Sequence, residues 1–106
     1  GLVDNNEEPM AASMRECIEE TGYHSDSSPI LLGLNHPNPA FLTNSCYSFL
    51  WQGVSKKYEQ HLDKNEDILV KLIPIEQIKS LIEEQKITHS LVINAFFFYF
   101  LKIGLI

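Results

Sequence analysis

Residues 1–23 read GLVDNNEEPMAASMRECIEETGY, and this stretch decides the reading of the whole chain. Its second half, PMAASMRECIEET at 9–21, predicts a helix. Pro9 suits a first helical position and Gly22 a C-terminal stop. At about 100° per residue, Met10, Met14, Cys17, Ile18 and Thr21 gather on one side, which predicts a core face that includes Cys17. Ala12, Glu16, Glu19 and Glu20 fall opposite. Glu16, Glu19 and Glu20 stand at i, i+3 and i+4, so their carboxylates share one face, where like charges repel unless something compensates them. Arg15 is the only arginine in the chain and the only base in this segment, against six acids.

The rest of the chain is nearly balanced, with eight acids and seven lysines, so the net charge of −6 over 106 residues belongs almost wholly to the first 23. An acidic chain of this kind does not bind a phosphate backbone by bulk charge, and no nucleic-acid partner is expected. Apolar residues at 44% and charged residues at 21% exclude a disordered tail or a collagen-like repeat and bound the chain to one small domain. Cys17 and Cys46 show no CxxC spacing and no framework, so a reducing, cytoplasmic setting is expected.

Downstream, 29–36 and the alternating SCYSFLWQGV at 45–54 predict strands, with Tyr47, Phe49 and Trp51 on one face and Cys46, Ser48 and Leu50 on the other. Residues 55–66 are polar and predict a loop. DILVKLI at 67–73 predicts a strand stopped by Pro74, and 75–85 predicts a helix with Ile75, Ile78 and Ile82 on one face. The run LVINAFFFYFLKIGLI at 91–106 is apolar at 13 of 16 positions, short of the roughly 20 residues that span a bilayer. It predicts a buried C-terminal helix, capped near Thr88 and ending near Gly104, and no membrane partner. The fold class expected from this order is α/β (α+β). Apolar surface left over on 96–100 and on strand edges predicts self-association, as a homodimer.

The spacing of residues 1–23 resembles the Nudix box of Nudix hydrolases: Gly1, five residues, Glu7, seven residues, Arg15-Glu16, Cys17 in an apolar place, Glu19-Glu20, one residue, Gly22 and then Tyr23. The resemblance implies a Nudix-type α/β/α sandwich over 1–106, with the box at 1–23. In complete members several strands precede the box. The chain is therefore expected to be an N-terminally truncated part, holding the box helix, two to three strands and two C-terminal helices. The implied activity is hydrolysis of a pyrophosphate joining a nucleoside to another group, with Mg²⁺ or Mn²⁺ as cofactor. Carried over to this sequence, Glu16, Glu19 and Glu20 are metal ligands, with Glu19 and Arg15 also catalytic. Arg15 and Glu7 form the ion pair that holds loop to helix, and Gly1 and Gly22 are structural.

Within the family the chain resembles the ADP-ribose pyrophosphatase branch, through Pro39, 16 residues after Tyr23, and through LDKNEDIL at 62–69. This implies ADP-ribose or an ADP-sugar as the small-molecule partner, hydrolysed to AMP and a sugar phosphate, with Glu66 as the base that activates water. Pro39 and Asn38 would then be substrate-binding, or else simply shape a turn between strands. The alternative function is a Nudix-like module that binds a nucleotide or a protein without turning it over. His24, His36, His61 and His89 show no metal-ligand spacing.

Overall fold

Chain punctuation explains most of the elements in the computed structural model, which describes all residues, Gly1–Ile106. Helix α1 spans Pro9–Thr21, as its local signals predict, and Gly22 closes it in the left-handed region at φ 76°, donating to the Ile18 carbonyl. Gly22 is required there twice over: a side chain at positive φ is strained, and a Cβ would run into the Tyr58 carbonyl oxygen. Strands β1 (Tyr23–His24), β2 (Ile30–Asn35), β3 (Cys46–Leu50) and β4 (Ser55–Lys56) follow. A single 3-10 turn at Ile75–Gln77 leads into α2 (Ile78–Glu83), and α3 covers Ser90–Ile103. The chain is thus α+β, with three helices and two small sheets. In one sheet β1 runs antiparallel to β4, Tyr23 opposite Lys56 and His24 opposite Ser55; in the other β2 pairs with β3.

The chain divides into two compact units, Gly1–Leu31 with Phe49–Val70, and Leu32–Ser48 with Lys71–Ile106. In the first unit, Ala12 and Ser25 are buried. The Ser25 hydroxyl meets that of Ser27 at 2.8 Å, Ser27 donates to the Gln52 carbonyl, and the Trp51 indole N–H donates to the Ser27 carbonyl at 2.7 Å. The His24 ring packs edge-on against both Trp51 and Tyr58. In the second unit, Ile78 and Ser48 are buried, and Gly33 of β2 lies against the Phe98 ring of α3, where an added Cβ would come within 2.5 Å. Glycine allows this close approach because it presents no side chain.

Five expectations need correction. The core of α1 is Ala12, from the acid-bearing side, while Met10 is 38% exposed and Cys17 only half-buried. Residues 1–7 fold back onto the Arg15–Glu16 part of this face, as described below. Residues 67–73 pair with no strand. Ile68 and Val70 are half-buried while Leu69 is 91% exposed, so the alternation survives as exposure without a ladder to fix it. The loop expected over 55–66 instead contains β4. Finally, α3 buries none of its residues, and Phe97 and Leu101 stay about half exposed. Its apolar residues run all round the helix, more than a two-stranded sheet and the six-residue α2 can cover. Its cap is His89, whose Nδ1 accepts from the Leu91 N–H at 3.1 Å, one residue beyond the Thr88 expected.

Candidate active site on the acid helix

Arg15 organises the N-terminal third of the chain. Its Nε and Nη2 donate to the two carboxylate oxygens of Glu7 at 2.9 and 3.0 Å, a bidentate fork. Nη1 donates to Glu16 at 3.0 Å and to Glu19 at 3.2 Å, and Nη2 also donates to the Leu2 carbonyl at 3.1 Å. Asp4 stands 3.5 Å away, and its N–H donates back to Glu7 Oε1. One guanidinium, with five donors in a fixed fork, therefore binds loop 1–7 to the acid face of α1. Gly1 lies so close to the Glu16 carboxylate that a Cβ there would overlap it.

The electrostatics follow from these contacts. The hydrogen bond from Arg15, then that from the Asp4 N–H, holds the Glu7 carboxyl below its ordinary range. The Arg15 guanidinium is driven further toward its charged form, chiefly by Glu7 and then, against the cost of burial, by Glu16. Glu20 moves the other way. Burial raises its pKa first, then a hydrogen bond with Glu16 and that neighbour's charge, with Glu66 adding to the effect.

Glu7, Arg15, Glu16 and Glu19 are thus brought together, and Glu20 lies near enough to Glu16 for that neighbour to raise its pKa. No three acidic, histidine or cysteine side chains are arranged as a ready cradle for a cation. The guanidinium draws Glu16 and Glu19 toward itself, so the three carboxylates of α1 do not converge on one point. Their chemistry nonetheless fits a hard divalent ion, because the donors are carboxylate oxygens and Glu20 beside Glu16 is a negative pair that costs free energy as it stands.

Loop 57–68 lies against the C-terminal end of α1. The Lys57 and Tyr58 N–H groups donate to the Gly22 carbonyl at 2.9 and 3.0 Å, and His61 N–H donates to the Glu19 carbonyl at 2.7 Å. Glu66, on this loop, accepts from the Asp63 N–H at 2.8 Å and donates its own N–H to the Asp63 carbonyl. Sequence reasoning missed two residues here. Asp4 completes the Arg15 cluster, and its acidic type eleven residues before a lone arginine is the only signal that could have found it. Gln60 bridges α1 to the Glu66 loop across forty residues, and nothing local announces such a contact.

Asn38 and Pro39 lie in the second unit. The Asn38 carbonyl accepts from the N–H groups of Phe41 and Leu42, so the pair opens a tight turn, and both residues are exposed. No helix is long and apolar enough to cross a membrane. No family model matches this chain, and no curated protein matches it significantly, so the resemblance in residues 1–23 stands on its own residues.

Proposed function

We propose that this chain is a Nudix-type, Mg²⁺- or Mn²⁺-dependent pyrophosphohydrolase that acts on ADP-ribose or an ADP-sugar and releases AMP and a sugar phosphate. The observation that carries this reading is the bidentate Glu7–Arg15 fork, at the residues where the box spacing requires an ion pair, with the same guanidinium reaching Glu16 and Glu19 on the acid face. Glu16, Glu19 and Glu20 would hold the cation. When bound, the cation supplies neutralisation of the diphosphate and activation of the attacking water. Arg15 fixes the loop that closes over the acid face. Glu66 takes the proton from water as the new P–O bond forms and the bridging P–O bond breaks, and the sugar phosphate or AMP leaves with the bridging oxygen. The three-layer sandwich belongs to this reading and rests on the resemblance.

One observation favours a second reading. Arg15 already engages Glu16 and Glu19, and a domain whose carboxylates serve only to fold it would bind a nucleotide without turnover. The two separate in one assay. Full-length protein with Mg²⁺ is offered ADP-ribose, diadenosine polyphosphates and nucleoside triphosphates. The proposal expects AMP from ADP-ribose with the highest kcat/KM. A preference for triphosphates overturns the substrate assignment, and ADP-ribose that binds without release of AMP supports the binding module.

A further inference from the structure

Gln60 is exposed, yet its side chain is fixed at both ends. The amide nitrogen donates to the Glu20 carbonyl of α1 at 2.7 Å and to the Ile68 carbonyl at 3.0 Å. Both neighbours are acceptors, which settles the orientation of the amide: only nitrogen can face them. A primary amide carries two N–H groups, and here each has its own carbonyl. Glutamate at this position would offer none, and alanine would offer no reach.

Between the two anchors lies the loop that carries Glu66. On the α1 side, backbone hydrogen bonds from Lys57, Tyr58 and His61 tie residues 57–61 to Gly22 and Glu19. Beyond His61, Asp63 and Glu66 bond only to each other, within the loop. Among the hydrogen bonds of this loop, the Gln60 amide is the one that brings its far end, at Ile68, back to α1. We infer that Gln60 is the positioning residue that holds Glu66 at the acid face of α1, by clamping the far end of its loop to the Glu20 carbonyl. The catalytic meaning of the clamp rests on the pyrophosphohydrolase reading above. The clamp itself rests on geometry alone.

Two measurements on the full-length protein test the two parts separately. The first is backbone ¹⁵N relaxation without metal or substrate. In Gln60→Ala, and equally in Gln60→Glu, the order parameters of residues 63–68 are expected to fall from about 0.85 to below about 0.6, the difference between rigid and flexible backbone. Those of Lys57, Tyr58 and His61 should stay unchanged, because their carbonyl partners on α1 and Gly22 are untouched, and this also reports that both variants fold.

The second is a double-mutant cycle on ADP-ribose hydrolysis. Gln60→Ala should lower kcat about tenfold with KM little changed, Glu66→Gln should lower it by about a hundredfold, as loss of a general base does, and the double variant should be no worse than Glu66→Gln alone. Losses that multiply in the double variant would show that Gln60 acts on something other than Glu66 and overturn the inference. A loop that stays rigid in Gln60→Ala overturns the clamp whatever the protein hydrolyses. A loop that loosens in a protein without turnover overturns the hydrolase reading instead.

Discussion

Arg15→Ala is expected to lower kcat/KM about 10- to 100-fold, the range found when residues that orient the groups around a metal site are removed. The guanidinium makes hydrogen bonds to Glu7, Glu16, Glu19 and the Leu2 carbonyl at once, so its loss frees loop 1–7 and leaves the α1 carboxylates without their internal cation. Arg15→Lys should recover little, because an ammonium cannot reproduce a bidentate fork to Glu7 while still reaching α1. The pH behaviour has a definite sign. Glu7 is held below its ordinary value in the folded protein, so the clamp contributes fully above that ordinary value, near pH 4.3, and is lost as pH falls through the lowered one. In Arg15→Ala the Glu7 carboxyl should titrate back in the ordinary range, which carbon-detected NMR reads directly. Unchanged turnover and an unchanged Glu7 titration would remove Arg15 from the account.

Glu20→Gln should act in opposite directions on stability and on metal binding. The folded-state pKa of Glu20 is raised by burial and by Glu16, so the folded state prefers the protonated form. That preference contributes stability in full below the ordinary carboxylate value and is lost as pH rises through the raised one. At pH 7 the ionised carboxylate is therefore a cost, which glutamine, the neutral isostere, removes. Without metal, Glu20→Gln should melt at a higher temperature than wild type at pH 7, and the difference should shrink as pH falls through the raised value and be gone below about 4. Added Mg²⁺ should raise the Tm of wild type by linkage and leave that of Glu20→Gln nearly still. A variant less stable than wild type at pH 7 would mean that Glu20 serves the fold rather than an ion.

Helix α1 was legible from residues 9–22 because its signals are local: Pro9 opens it, Gly22 takes the left-handed turn, and the residues between have helical spacing. Strands β2 and β3 were legible too, β3 from the alternation of residues 45–54 and β2 as a short apolar run ahead of a proline-rich stretch. What escaped depends on contacts distant in sequence. Strand β4 is two residues long and exists only because β1 pairs with it. Residues 67–73 have the pattern of a strand but no partner, and a pattern cannot supply one. The α3 run says that the helix is apolar on every side, yet how much of it is covered depends on the area its neighbours offer. In the site, spacing placed Glu16, Glu19 and Glu20 on one face of α1. It could not show that the Arg15 side chain turns along the helix to take two of them, or that Gln60 reaches α1 from forty residues away.

The central claim, that the acid face of α1 serves a divalent cation, is tested most directly by titrating Mn²⁺ into the full-length protein and counting free ion by electron paramagnetic resonance. Wild type should bind Mn²⁺ saturably, Mg²⁺ should displace it, and Glu16→Gln with Glu20→Gln should abolish binding while the fold persists. Binding that is equal in wild type and in the double variant would contradict the account.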